Sequence, residues 1–142
     1  MTVLYLYLIC HDNPDIKTHT YIGCTENFLK RLNQHNCLES GGPRITRRAA
    51  GSWNPVLILQ YDKEFHTTSS KNIKSEWKQS SRGLTSRIKR GFEMAKKYKL
   101  PIIMPKNQIA ETPLLRFLSD KWVDEKLALT DADWDYILTS AF

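Results

Sequence analysis

The chain has 142 residues and a formal net charge of +6, which is enough for one domain with a hydrophobic core and makes a second independent domain unexpected. The charge is uneven, because residues 1–99 carry a balance of +9 and residues 100–142 a balance of −3. A basic region of this kind favours a partner with a phosphate backbone, although many basic domains bind nothing acidic in particular.

The cysteines and the apolar segments exclude several classes of protein. The three cysteines have no paired spacing of the kind that metal ligands show, so neither a disulfide framework nor a zinc site is expected. The apolar run near the N-terminus is too short to span a bilayer and lacks the basic start of a signal peptide. We therefore expect an intracellular protein with no membrane role, in the nucleus or the cytoplasm.

The first predicted unit is a β-hairpin. Residues 3–10 are apolar on both alternating faces, which predicts a strand covered on both sides. Turn-forming residues follow at positions 11–17, and Thr18 to Cys24 then predicts a returning strand. Within it Tyr21 and Gly23 share a face, and a glycine at a strand end usually lets another group approach the backbone closely.

A helix is predicted directly after the hairpin, with Thr25 as its N-cap. Arg31 and His35 lie one turn apart on the flank of the apolar stripe, so they border the core. We expect their neighbours to be the hairpin tyrosines, Tyr7 and Tyr21. The helix is expected to pack through three apolar side chains, Phe28, Leu29 and Leu32.

The middle of the chain predicts a basic loop and a further strand. Residues 37–55 contain a group of arginines, Arg44, Arg47 and Arg48. Such an exposed loop suits phosphate contacts without base readout, or it is a solvated connector. The apolar run Val56 to Tyr61, with Pro55 at its entrance, predicts a central buried strand that completes a three-stranded sheet.

The remaining segments predict helices. Lys71 to Gln79 is expected to pack through Ile73 and Trp77, with Glu76 beside them, and Thr85 is expected to cap a longer basic helix. That helix presents either a solvated face or a DNA surface, and the sequence leaves both open.

The tail has a proline-bounded extended segment at residues 100–105 and a helix start at Thr112-Pro113. Thr130 and Asp133 predict a capping box before a last helix. The tail could pack on the body, cover a partner or form a homodimer.

Taken in order, these motifs resemble the GIY-YIG endonuclease domain. Tyr5-Leu6-Tyr7 stands in the place of the first tripeptide, Tyr21-Ile22-Gly23 matches the second, and Arg31, His35-Asn36 and Glu76 follow. The resemblance covers roughly residues 3–95, and the later layout is similar to the branch that contains the eukaryotic structure-specific nuclease of flaps and junctions. Two departures are Tyr5 in place of a glycine and Cys24 where some repair-type members carry a lysine.

The resemblance implies an α/β fold in which a small three-stranded central sheet is flanked by helices. It places a nuclease domain at residues 1–99 and a C-terminal helical extension, packed on it, at residues 100–142. It implies a metal-dependent DNA endonuclease of DNA repair or recombination, acting on branched DNA with little sequence readout. The expected products are a 5′-phosphate and a 3′-hydroxyl.

The resemblance also implies the site residues. Glu76 would hold Mg²⁺ or Mn²⁺, and Arg31 would bind a phosphate oxygen through two parallel donors. Tyr7 is expected to be the general base, with Tyr21 and His35 positioning the attacking water, and His35 is the alternative base. The expected nucleic-acid contacts are Arg44, Arg47, Arg48 and Lys74.

Three other functions stay open at this stage. They are a site-specific nuclease of the homing or restriction type, a non-catalytic nucleic-acid-binding module with the same fold, and a small α/β interaction protein whose tyrosines are core residues. A regulatory protein partner is also left open.

Overall fold

An antiparallel sheet organises the chain, and the computed structural model describes residues 3–13, 19–43, 53–103 and 113–140. The strands are β1 (Val3–His11), β2 (Thr20–Thr25), β3 (Trp53–Asp62), β4 (Ile102–Ile103), β5 (Trp122–Val123) and β6 (Lys126–Leu127). The helices are α1 (Phe28–His35), α2 (Ser70–Gln79), α3 (Leu84–Tyr98), α4 (Pro113–Leu118) and α5 (Asp131–Thr139).

The strand β1 lies inside the sheet, between β2 and β3. Its alternating side chains enter two different cores. Leu6 and Leu8 join the larger cluster, which includes Ile73 of α2 and Phe92 of α3. Tyr7 joins a smaller cluster on the other face of the sheet. The prediction of a hairpin whose first strand is covered on both sides is confirmed.

The prediction of a three-stranded sheet is wrong, because the described chain contains six strands in the order β2-β1-β3-β4-β6-β5. The strand β4 adds to β3 through the pairs Ile58 with Ile103 and Leu59 with Ile102, and β6 and β5 continue from β4. The three added strands have two residues each. A strand of two residues is too short to show the alternation on which sequence-based prediction depends.

Pro55 lies within β3, not at its entrance. The register with β1 shifts at this point, since Leu8 pairs with Leu57 whereas Ile9 pairs with Pro55. Val56 is therefore the extra residue of a β-bulge, where a residue without an N–H is tolerated inside a sheet.

Two of the predicted helix caps are wrong. Thr25 ends β2, and α1 is capped by Asn27, whose side chain accepts a hydrogen bond from the Lys30 N–H. The helix α3 begins after Gly83, not after Thr85, and Gly83 has a φ of 77° that favours glycine. The capping box at Thr130 and Asp133 is confirmed.

The segment 113–140 contributes to the larger core. Leu114, Leu118 and Ile137 are buried in the same cluster as Trp77 and Phe92. A domain boundary at residue 99 stays a prediction. Among the described helices, none is both long and apolar enough to cross a membrane.

Candidate active site

A buried hydrogen bond between Tyr7 and His35 lies at the centre of the smaller core. Tyr7 comes from the middle of β1, and His35 is the last residue of α1. The phenol oxygen lies 2.7 Å from His35 Nε2, and the two residues are 1% and 0% exposed. The sheet and the helix therefore hold the two groups together away from bulk water.

Gly23 makes room for the Tyr7 phenol. It is paired with Tyr7 across the hairpin, and a Cβ at this position would overlap the phenol oxygen and lie 2.5 Å from Cζ. The close approach expected at this glycine is confirmed. The Tyr7 ring lies over the Gly23 backbone because no side chain is there.

Aromatic rings enclose the pair. The Tyr21 ring lies 4.8 Å from the His35 ring, and its centroid is 6.3 Å from that of Tyr7. The Phe28 ring contacts Tyr7 edge to face at 5.2 Å. Tyr21 is only partly buried, so it lies at the solvent edge of this aromatic group.

Burial sets the protonation of both groups. Burial raises the pKa of Tyr7 well above its ordinary value, and a hydrogen bond from Arg31 offsets part of that rise. Burial, together with the charge of Arg31, lowers the pKa of His35 to about 4. At neutral pH the hydrogen bond therefore joins a neutral phenol and a neutral imidazole. In the tautomer with its proton on Nδ1, Nε2 of His35 accepts from the phenol.

Arg31 is oriented by a loop that sequence reasoning did not connect to it. Its Nη1 donates to Oε1 of Gln34 at 2.9 Å and to the Gly41 carbonyl at 3.3 Å. Nε2 of Gln34 in turn donates to the Ser40 carbonyl at 3.1 Å. The i, i+3 spacing of Arg31 and Gln34 is the signal that could have indicated this contact.

Asn36 fixes the end of α1 to the start of β3. Its side chain accepts from the Trp53 N–H at 2.7 Å and donates to the Trp53 carbonyl at 3.0 Å. The His-Asn pair was visible in the sequence, but the partner of Asn36 is 17 residues away. These bonds hold the turn that follows His35.

Glu76 lies in a different group, in the layer of α2 and α3. Its carboxylate accepts from the Lys97 ammonium at 3.0 Å and the Tyr98 hydroxyl at 3.0 Å. Arg90 lies 3.5 Å from the other carboxylate oxygen. Partial burial acts to raise the pKa of Glu76, but the bonds from Lys97 and Tyr98 and the charges of Lys97 and Arg90 lower it overall.

The residues around Glu76 determine whether a metal ion can bind there. A hard divalent cation takes oxygen ligands and disfavours neighbouring cations. Here both carboxylate oxygens contact cationic side chains, Lys97 and Arg90. Within the part of the chain that the structure describes, no group of three or more His, Cys, Asp or Glu side chains is placed to hold a metal. In this arrangement the residues around Glu76 do not fit a bound metal.

The structure thus brings together four of the predicted site residues, Tyr7, Tyr21, Arg31 and His35, and gives Glu76 partners from α3. Lys74 lies on α2. Burial raises the pKa of the Cys24 thiol of β2, and the charge of Lys74 is one of the effects that offset this rise. The three predicted loop contacts, Arg44, Arg47 and Arg48, lie outside the described residues.

The hairpin, α1 and the polar group between them define an α/β domain with a Tyr-His-Arg site. A family model for the GIY-YIG catalytic domain matches residues 3–82, which is more than half of the chain. The chain belongs to the GIY-YIG family, and such a domain implies nuclease activity in general. No curated protein matches the chain.

Proposed function

We propose that this protein is a DNA endonuclease that hydrolyses phosphodiester bonds at flaps, forks or junctions. The observation that carries the proposal is the buried bond between Tyr7 and His35 beside Arg31, within a chain of this family. Action on branched DNA and roles in DNA repair and recombination follow from the resemblance. The basic balance of residues 1–99 supports a phosphate backbone as the partner.

The proton of the attacking water would travel through Tyr7 to His35. Because burial raises the pKa of Tyr7, its phenolate is not populated at neutral pH. Tyr7 can still take the proton of water while it passes its own proton to His35 Nε2. The resulting hydroxide bonds to phosphorus, the bond to the 3′ oxygen breaks, and that oxygen takes a proton from solvent. His35, whose lowered pKa of about 4 disfavours the imidazolium, returns its proton to solvent and completes the balance.

Arg31 would bind the scissile phosphate. Its guanidinium is partly buried and held by Gln34 and Gly41, so its remaining donors have a fixed direction before DNA arrives. Preorganised donors of this kind stabilise charge that develops on phosphoryl oxygens. Arg31 and Tyr21 form the partly exposed side of the site, from which the phosphate would approach the buried pair.

Dependence on Mg²⁺ or Mn²⁺ through Glu76 is a separate part of the proposal. Because the residues around Glu76 do not fit a metal as they stand, metal binding there requires both the Lys97 ammonium and the Arg90 guanidinium to leave the carboxylate. The Lys97 side chain is 54% exposed, so water can solvate it after it leaves. Lys97→Ala should therefore lower the magnesium concentration that gives half-maximal cutting, by up to about fivefold.

The burial of Tyr7 and His35 favours one alternative, a non-catalytic nucleic-acid-binding module in which both are core residues. The two functions differ in whether the Tyr7 hydroxyl matters. Tyr7→Phe keeps the ring and its packing but removes the group that would relay the proton. If the protein is a binding module, Tyr7→Phe leaves nucleic-acid binding intact, and neither the native chain nor the variant cuts DNA.

The test is cleavage of end-labelled linear duplex, 5′-flap, fork and four-way junction DNA, with Mg²⁺, Mn²⁺ or EDTA. We expect cuts at branch points, and a rate at least about a hundredfold lower in Tyr7→Phe. Tyr136→Phe, a change on an exposed residue of α5, is the matched control and should cut normally. Equal rates in Tyr7→Phe and the native chain would exclude the proposed proton route. Binding without cutting of any substrate would support the binding module.

A further inference from the structure

A cleft separates the turn after β3 from the C-terminal end of α3, and nothing in the proton route uses it. Its volume is about 440 Å³, which is within the range of small-ligand sites. It is lined by Phe65, His66, Thr67, Thr68, Lys97 and Lys99, with Tyr98 and Ile73 behind them. We call it the Phe65 cleft.

The turn that carries Phe65 is held by several hydrogen bonds. The N–H groups of Phe65 and His66 donate to the Asp62 carbonyl at 3.1 and 2.9 Å. Nδ1 of His66 accepts from the Asp62 N–H at 3.1 Å, and Nε2 donates to the Lys99 carbonyl at 3.1 Å. His66 therefore joins the turn to the end of α3, and these hydrogen bonds hold the backbone that carries Phe65.

Phe65 is the outermost ring of an aromatic series. Tyr61, which is buried, stacks on His66 at 5.1 Å with an interplanar angle of 25°. Phe65 contacts His66 edge to face at 5.2 Å. Phe65 itself is 71% exposed. The ring is thus open to a planar ligand on its exposed side and contacts His66 on the other.

The walls of the cleft carry positive charge and hydroxyl groups. The described residues that line it include Lys97 and Lys99 and no carboxylate. An exposed ring beside ammonium groups is the combination with which proteins bind single-stranded nucleic acid, since a base stacks on the ring and the lysines take the phosphates. An apolar peptide would bring no anionic group to these two lysines, so a nucleotide fits the chemistry better.

We propose that the Phe65 cleft binds an unpaired nucleotide of single-stranded DNA, with the base on Phe65 and the flanking phosphates on Lys97 and Lys99. The choice of DNA rests on the proposed function. Lys97 also contacts Glu76 at 3.0 Å, so a phosphate on Lys97 competes with that carboxylate. A single strand in the cleft would then run beside Glu76, as expected for the unpaired arm of a branched substrate.

The first experiment measures binding of a fluorescein-labelled oligothymidylate of about eight nucleotides to the full chain in EDTA, by fluorescence anisotropy. We expect Phe65→Leu to weaken binding about tenfold, because a base loses its stacking partner. Phe65→Tyr keeps a ring and should bind within about twofold of the native chain. The control is Leu38→Ala, which removes another exposed apolar side chain, 75% exposed, outside the cleft.

Two further measurements locate the contact. Lys99→Gln should reduce the slope of log affinity against log salt by about 0.7, the value for one phosphate contact on a single strand. Phe65→Trp places a fluorescent indole in the cleft, and the oligonucleotide should quench its emission relative to the native chain. Equal affinities for Phe65→Leu and the native chain, or an unquenched indole, would overturn the proposal.

The outcome is separable from that of the proposed nuclease activity. If the native chain cuts branched DNA but binds the oligonucleotide independently of Phe65, the proposed nuclease activity stands and the proposed role of the cleft is refuted. If binding depends on Phe65 but the chain cuts no substrate, the proposed role of the cleft stands and the proposed nuclease activity is refuted. Preference for oligouridylate over oligothymidylate would refute DNA as the ligand.

Discussion

Gly23 is the residue on which the position of Tyr7 depends most directly. We predict that Gly23→Ala lowers the rate of DNA cutting at least about a hundredfold, since its Cβ would overlap the phenol oxygen and small displacements of reacting groups have effects of that size. The displacement should also cost about 1–3 kcal/mol of stability. Cutting rates at a temperature where the variant is fully folded separate the two effects.

Gly83 provides the matched control. Its φ of 77° strains any residue with a Cβ, but no atom of the described residues lies within 4 Å of the added methyl. Gly83→Ala should therefore lose stability of a similar size, about 1–3 kcal/mol, and keep its cutting rate. If both variants lose activity in proportion to stability alone, the close approach at Gly23 has no special role.

His35 should make the folded protein sensitive to mild acid. An unfolded histidine takes up a proton as pH falls through about 6.5, whereas His35 does so only near its lowered pKa of about 4. The unfolded state therefore binds more protons between these values, and stability falls as pH falls. We expect this effect to lower the free energy of unfolding by about 2–3 kcal/mol between about pH 7 and pH 4.5. His35→Gln has no imidazole at this position and should lack this part of the loss.

Urea unfolding of both chains at the two pH values measures this difference. Carboxylates titrate in both chains, so the comparison cancels their contribution. A native chain that loses no more stability than His35→Gln would show that His35 is protonated normally. In that case it would carry a charge at the site in mild acid.

At the residue scale, the sequence predicted the members of the site better than their partners. Periodicity placed Tyr7, Tyr21, Arg31 and His35 near one another because all four lie on regular elements separated by short connections. The bond of Arg31 to Gly41 involves irregular backbone, which has no period, and the bonds of Asn36 join the end of α1 to the first residue of β3, 17 residues away. Contacts of this kind depend on tertiary packing and leave no local pattern.

At the element scale, the close packing of α3 on the sheet depends on Gly91. A Cβ there would overlap Leu57 of β3 and lie 2.8 Å from Cζ2 of Trp77 on α2. Both neighbours are buried, at 1% and 0% exposure, so neither can move into solvent. We predict that Gly91→Ala costs about 1–3 kcal/mol and lowers the Tm by about 4–10 °C.

Thermal unfolding followed by circular dichroism checks this prediction. The cutting rate should be normal below the transition, because Gly91 packs against the face of the sheet opposite Tyr7. A Tm equal to that of the native chain would mean that α3 can shift without loss of stability. An inactive but stable variant would mean that α3 takes part in the site.

Long elements were predictable and short ones were not. The elements β1, β3 and α3 have nine or more residues each, which is long enough to contain a recognisable apolar run or period. The N-termini of α1 and α3 were each displaced by two residues, because several residues near each start are capable caps. The strands β4, β5 and β6 pair only because the chain returns to the edge of β3, which is a property of the tertiary fold.

At the scale of the whole molecule, the C-terminal segment completes the core that supports the site. Leu114, Leu118 and Ile137 are buried among residues of α2 and α3. Three buried aliphatic side chains contribute about 5–9 kcal/mol as an upper bound, which is comparable to the whole stability of a domain of this size. The native chain should therefore unfold as one cooperative unit.

The corresponding experiment compares the full chain with a chain that ends at Ile103, which keeps β4 and omits the tail. We predict that the shortened chain loses its cooperative urea transition, because the larger core loses Leu114, Leu118 and Ile137, and Phe92 loses its contact with Trp134. Leu118→Ala in the full chain should cost about 2–5 kcal/mol by the same mechanism, and this variant remains measurable even where the deletion does not fold. A shortened chain that unfolds cooperatively and still cuts DNA would show instead that residues 1–99 form an independent nuclease domain.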